Sequence, residues 1–245
     1  MKTLVWHDLQ RCLLRCPPEV LALLKRHPDE TFVAGGFVRA SVSEEEISDV
    51  DIFVNSQEKA VAFAAELAAA PDRKIITTGN AITVIGGKLP VQFISRWTFT
   101  SAVSALVSFD FTIAMSAFWA HDPKYPGAVI EWLSACHEDF YADLAAKRLM
   151  YTAPSRIEEA GGSLLRVLKF YQRGYRIPLD SMGMVIARII GAIEFDKLPQ
   201  RPSSSKKAPY TREQAIGAAV RKLLVEVDPS IDPNHIAHLP SPDED

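Results

Sequence analysis

The stretch 31–54, TFVAGGFVRASVSEEEISDVDIFV, constrains this chain more than any other. Thr31–Ala34 is β-prone and halts at Gly35-Gly36, two residues without a Cβ, where backbone can approach a ligand closely. Phe37, Val38 and Arg39 begin a short helical or turn segment whose first N–H groups lack partners within it and face over the glycines. That pattern predicts an anion pocket. Beyond the acidic link Glu44-Glu45-Glu46, a second strand, Val50–Val54, brings Asp49 and Asp51 two residues apart, and a period of two puts both carboxylates on one face. Like charges so close repel unless a cation joins them, so the pair calls for a divalent metal or a basic partner. Mg²⁺, which retains waters and substrate phosphates among its ligands, suits a glycine pocket followed by Asp-x-Asp, with Mn²⁺ as the alternative ion. Either feature by itself reads as a turn or a solvated strand end; on consecutive strands each makes the other specific.

The elements around this stretch follow from spacing. Residues 1–16 carry apolar side chains at helical intervals, and Pro17-Pro18 interrupts them before a second short helix that Pro28 stops. His27 reads as a helix-end residue. Residues 56–70 form a helix capped by Ser56 that covers one sheet face. Three β-prone runs, 74–78, 81–85 and 90–95, are separated by the hairpin residues Gly79-Asn80 and Gly86-Gly87. The expected class is α+β, a mixed five-stranded sheet with flanking helices. Residues 113–120 are apolar enough to be buried, Trp97, Trp119 and Trp132 read as core, His121 and Asp122 as turn residues, and 128–132 as strand-like. From Glu138 the pattern turns helical and basic: Lys147, Arg148, Arg156, Arg166, Lys169, Arg173 and Arg176 outnumber Glu158 and Glu159. Arg166, Lys169 and Arg173 share a helix face by i, i+3, i+7 arithmetic, which suits triphosphate contacts, though such a face is commonly just solvated. The expected organisation is a sheet domain over 1–135, a helical region over 136–198, a polar linker over 199–210, and a last helix with a proline-rich acidic tail over 211–245, opened by a Thr211/Gln214 capping box.

The order GGFVR then SDVDIFV resembles the signature of the DNA polymerase β nucleotidyltransferase superfamily. It is most similar to the tRNA CCA-adding and bacterial poly(A) polymerase branch, which reads GG-x-VRD and then DIDI; Ala40 stands where that branch has Asp. FDFTIAMSAFW at 109–119 resembles the branch's RRDFTINAL, and 142–177 resembles its helical nucleotide-reading segment, so three blocks in family order span 31–177. The resemblance implies a palm-like nucleotidyltransferase domain with a neck-like helical region after it. It implies catalytic Asp49, Asp51 and Asp110, nucleotide contacts from Gly35, Gly36, Arg39, Arg166, Lys169 and Arg173, and metal ligation by Asp49, Asp51 and Gln92. Gln92 occupies the place of the superfamily's third carboxylate, and an amide brings no charge, so a second metal would be held less firmly. In the stretch matching the branch's base-reading EDPLR, Gly162 to Arg166, Arg166 is present but Ser163 replaces the Asp, which argues against ordered C-then-A selection. The implied activity is transfer of a nucleoside monophosphate from an NTP, ATP among them, to a hydroxyl, an RNA 3′ end or another phosphate-bearing acceptor, with pyrophosphate released. The rival readings are a catalytically impaired nucleotide-binding or regulatory protein of the same fold, and an interaction module docking a partner through its last helix and tail.

Composition narrows this further. With 245 residues, 48% hydrophobic and 23% charged, the chain can bury a core. A net charge of −3 and a pI near 6.1 provide no global positive field, so any grip on nucleic acid must be local. The three cysteines lack zinc spacing and read as buried thiols. No run of 18 apolar residues and no leader pattern occur, giving the expectation of a cytoplasmic protein without a membrane partner. Acceptor, nucleotide preference and oligomeric state stay open at this level.

Overall fold

The computed structural model describes residues 1–154, 160–200 and 208–227. Most of the expected linker, all of the acidic tail from 228 onward, and Arg156, Glu158 and Glu159 lie outside the described residues. The chain divides into two compact units, Met1–Pro154 and Ser155–Asp245.

The first unit opens with α1 (Trp6–Arg15) and α2 (Pro18–Arg26), the latter with Pro18 at its first position, where the missing N–H goes unneeded. Then come β1 (Thr31–Ala34), α3 (Gly36–Val42), β2 (Val50–Val54) and α4 (Gln57–Ala68), whose N-cap Ser56 Oγ accepts the Lys59 N–H at 3.2 Å. A hairpin of β3 (Lys74–Thr77) and β4 (Ala81–Ile85) leads to β5 (Val91–Ile94) and the short α5 (Ala102–Leu106). A 3₁₀ turn at Thr112–Ala114, β6 (Ser116–His121), β7 (Glu131–Cys136) and α6 (Phe140–Ala145) complete the unit.

The α+β class holds, but the sheet has seven strands, ordered β3-β4-β5-β2-β1-β6-β7, rather than five. Every pairing is antiparallel except β2 with β5. The first additional strand, β6, falls in the run read only as buried. Ser116, Ala117, Phe118 and Ala120 are all buried, so the strand is covered on both faces and shows no alternation of period two. The second, β7, begins at Glu131 near the end of the run 128–132 that read as strand-like, and continues to Cys136.

Each sheet face has its own core. Ile52, Val91, Phe93, Ile82 and Val84 lie under α4, which supplies Ala60, Phe63, Ala64 and Leu67. Burying a side chain the size of Ile52 or Phe93 contributes about 1.5–3 kcal/mol, enough to decide which face each strand turns inward. The opposite face is covered over β1, β6 and β7 by α5, whose Ala102, Ala105 and Leu106 pack on Phe32, Ala34, Phe53, Met115, Ala117 and Ala135. Toward β5, β4 and β3 that face opens: Gln92, Thr83 and Ile85 are half-buried, and Lys74 and Ile76 are exposed. Trp119 packs on the α5 core, and His121, the last residue of β6, shares its Nδ1 with Asp29 Oδ1 at 2.7 Å. The three cysteines are free and buried, and burial pushes the Cys12 thiol up to about 12.

The second unit contains α7 (Ala160–Gln172), α8 (Leu179–Gly191), a 3₁₀ turn at Phe195–Lys197 and α9 (Arg212–Val227). The expected capping box forms: Thr211 Oγ1 accepts the Gln214 N–H at 3.2 Å, and Gln214 Oε1 accepts the Thr211 N–H at 3.1 Å. Among the described residues no helix is long and apolar enough to cross a membrane.

The two glycines after β1 do different things. Gly35 has φ +76°, and a Cβ there would sit 3.4 Å from the Phe109 ring, whereas a Cβ on Gly36 would meet nothing within 4 Å. Gly35→Ala is therefore expected to lower unfolding stability by about 1–3 kcal/mol. Gly36→Ala, at a helical position, should leave it unchanged or raise it by up to about 1 kcal/mol. Urea denaturation of both variants checks the contrast, and equal effects would contradict it.

Candidate functional site

Three strands build the site. β2 lies between β1 and β5, and Asp51, half-buried, pairs in register with Gln92 on the parallel β5. On the other side the pairing of Ile52 with Val33 runs on toward Ala34 beside Asp51, and Gly35 follows directly. Asp49 stands just ahead of β2. Gln92 Nε2 donates to Asp49 Oδ2 at 3.0 Å, and Ser48 Oγ donates to Asp49 Oδ1 at 2.7 Å. Asp49, Asp51 and Gln92 thus form one group on the face that carries Phe53, next to the glycine turn. Two carboxylates and an amide oxygen are hard donors of the kind Mg²⁺ and Mn²⁺ take.

The glycine turn is fastened from below. The Gly35 N–H donates to the Ser116 carbonyl at 2.9 Å, and the Gly35 carbonyl accepts the Arg39 N–H at 3.0 Å, so the turn is tied to both β6 and α3. The Phe109 ring beside Gly35 also packs on Phe53, with centroids 5.6 Å apart. Phe109 therefore joins the FDFT block to the glycine turn, a contact that spacing along the chain does not reveal.

Arg39 is only 2% exposed and its guanidinium is ion-paired with Glu45. From α1, Arg15 donates to the carbonyls of Ala40 at 2.8 Å and Glu45 at 2.6 Å, and Arg11 to that of Val42 at 3.3 Å, while Arg11 also pairs with Glu44 at 3.2 Å. These arginines bind carbonyls in the last turn of α3 and in the link beyond it, and the Ala40 carbonyl also accepts the Glu45 N–H at 2.9 Å. Three arginines thus hold the link between the glycine turn and Asp49. No local pattern around Arg11 and Arg15 signals that task, because it depends on α1 packing against α3.

Asp110 is 5% exposed, in a segment locked to the chain after α6. Its carbonyl accepts the Thr152 N–H at 3.0 Å, and Thr112 Oγ1 donates to Asp143 Oδ2 at 2.6 Å. Asp143, fully buried, also accepts from Arg148 Nε at 2.7 Å. Arg166 and Lys169 lie on α7 in the second unit, Lys169 exposed and Arg166 half-buried, with exposed Arg173 just past the helix end. Ser163, on the same helix, is buried. A further donor group, His137, Glu138 and Asp139, has ligand atoms within 4.8 Å of one another at the β7–α6 turn. It was not singled out from the sequence, and the Asp139 N–H bond to His137 Nδ1 at 3.1 Å gives it an ordinary turn geometry.

Several known proteins share this fold. A CCA-adding enzyme in complex with ATP superposes with a TM-score of 0.54 at 17% identity over 89% of this chain and 50% of that one. A CCA-adding enzyme with CTP gives 0.53 at 20% over 74% and 46%, and the Thermotoga maritima CCA-adding enzyme complexed with tRNA gives 0.51 at 22% over 74% and 45%. At such identities the likeness is one of fold, that of the polymerase β-like nucleotidyltransferases, in agreement with the motif order. By sequence, "Gabija anti-defense 2" of Bacillus phage SPbetaL7 is 31% identical over 159 residues, which is 65% of this chain but 36% of the phage protein. The chain thus aligns with little more than a third of that relative's length. The family model for Gabija anti-defense 2 matches residues 9–147, more than half of the sequence, and the chain belongs to the Gabija anti-defense 2 family.

Proposed function

We propose that this protein transfers a nucleoside monophosphate from an NTP to a hydroxyl acceptor. The observation that carries the reading is the convergence of Asp49, Asp51 and Gln92 on one sheet face beside a glycine turn whose Gly36 is open above. In this reading Gly35 and Gly36 let the triphosphate approach the backbone, and Asp49 and Asp51 would hold a divalent ion. That ion, when bound, neutralises the developing phosphate charge. The donor set fits one such ion: two carboxylates supply charge, and the neutral Gln92 steadies Asp49 through its amide. Asp51 accepts the proton of the attacking hydroxyl, whose oxygen bonds to the α-phosphorus as the bond to the β-phosphate breaks and pyrophosphate leaves. Positioning carries most of such a reaction, and the arginine-fastened link from α3 to Asp49 serves it. Arg39 supports the turn through Glu45. The anti-defense role in the phage relative's name supports placing this transfer in the countering of a defence rather than in tRNA maturation.

Gln92 also motivates a second reading: a protein of the same fold that binds nucleotide in a regulatory role without turning it over. Pyrophosphate release from each NTP with Mg²⁺ separates the two, since the regulatory protein binds nucleotide and releases none.

Two sets of variants test the transfer reading. Asp49→Asn with Asp51→Asn should abolish pyrophosphate release while leaving the melting temperature unchanged or higher, because mutual repulsion is relieved. Lost stability with activity intact would make the pair structural. Gln92→Glu adds a third carboxylate, so it should lower melting temperature without metal and enlarge the Mg²⁺-dependent rise, with transfer maintained or increased. A Mg²⁺ response like that of wild type would remove Gln92 from the site.

A further inference from the structure

The paired register draws a straight row across the sheet. Asp51 is opposite Gln92, Gln92 opposite Thr83, and Thr83 opposite Ile76, so all four side chains share the open face. At about 4.8 Å per strand, Ile76 stands roughly 14 Å from Asp51 along this row. In the next row Lys74 pairs with Ile85. The surface running outward from the carboxylates is therefore Thr, Ile, Ile and a single lysine. It contains no aromatic ring on which a base could stack, and stacking with a cationic groove is how single-stranded nucleic acid is usually held.

Charge points the same way. Between Met1 and Pro154 the chain has fourteen lysines and arginines against eighteen aspartates and glutamates. Six of those cations, Arg11, Arg26, Arg39, Lys59, Arg73 and Arg148, are paired with carboxylates inside the unit. A polyanion gains affinity by exchanging its counterions for free protein cations, and this face offers Lys74 with Lys88 in the neighbouring turn. The outer end of the row is an edge strand: β3 pairs with β4 alone in the sheet order, all four of its residues are exposed, and Ile75 and Ile76 are 46% and 49% exposed. An exposed, apolar edge strand is a template for an extended polypeptide.

We propose that the acceptor is a protein hydroxyl, carried by an extended, weakly charged segment that engages β3 and crosses β4, with Ile76 and Ile85 as its apolar contacts and Thr83 as its hydrogen-bonding guide. The inference rests on the nucleotidyl-transfer reading above. A serine, threonine or tyrosine oxygen attacks the α-phosphorus of the NTP, a phosphodiester bond to the side chain forms, the bond to the β-phosphate breaks, pyrophosphate departs, and the hydroxyl proton passes to Asp51. A sheet unit in which carboxylates outnumber cations eighteen to fourteen is then an advantage, because it does not attract RNA to a site meant for protein.

The test uses the full chain with each α-³²P-labelled NTP and Mg²⁺, in parallel with dephosphorylated casein and with a single-stranded RNA bearing a free 3′ hydroxyl. Label should appear on casein or on the protein itself, resist ribonuclease and disappear with protease. Ile76→Asp and Thr83→Val should each reduce that labelling at least tenfold with unchanged nucleotide KM and melting temperature. Label on RNA alone, pyrophosphate release with no labelled macromolecule, or protein labelling indifferent to both substitutions overturns this inference and leaves nucleotidyl transfer standing. Absence of pyrophosphate from any NTP overturns the underlying reading along with it.

Discussion

The parallel pairing of β2 with β5 is the constraint on which the site depends. Parallel neighbours cannot be joined by a tight turn, and here the connection runs through α4 and the β3–β4 hairpin. The crossing helix seals one face by burying Ile52, Phe93 and Val84, and that burial sets the register. A slip of one residue would move Asp51 under α4 and expose Ile52, exchanging a burial worth about 1.5–3 kcal/mol for the larger cost of an ion in an apolar layer. The burial of Val50 and Ile52 on either side of Asp51 sets the register that places it opposite Gln92.

A second set of contacts transmits that order along the chain. The link from the glycine turn to Asp49 carries three consecutive glutamates and would be loose by itself. Arg11 and Arg15 from α1, and Arg39 from within α3, tie it by backbone and carboxylate contacts. Removing Glu45 takes away the carboxylate facing the buried Arg39 guanidinium, which is destabilising. The FDFT segment is likewise tied to the chain around Thr152 and to Asp143, which lets Phe109 close the underside of Gly35.

Much of this was legible in the sequence, and the rest was hidden for definite reasons. The β1-glycine-α3 turn, β2 with its carboxylates, the Ser56 cap and both hairpin turns follow from local chemistry, because each depends on residues within a few positions of one another. β6 was missed because burial on both faces erases alternation, and the five-residue α5 because one turn and a half is too short to display a period. Arg39 read as a phosphate contact, since an arginine after a glycine turn can face either way; only the fold supplies Glu45. The arginines of α1 and the open row from Asp51 to Ile76 depend on packing and on strand order, neither of which spacing encodes.

In the proposed transfer, a neutral amide stands with the two carboxylates of the candidate site. With Gln92 in place of a charged ligand, Asp49 and Asp51 make an incomplete cage, one that a divalent ion would fill firmly only when phosphate oxygens arrive with it. Electron paramagnetic resonance of free Mn²⁺, titrated with the full chain in the presence and absence of ATP or CTP, measures this directly. The account predicts weak Mn²⁺ binding by the protein alone and about one tightly bound ion per chain once nucleotide is added, lost when Asp49 and Asp51 are both replaced by Asn. Mn²⁺ uptake that ignores nucleotide, or that survives loss of both carboxylates, would contradict it.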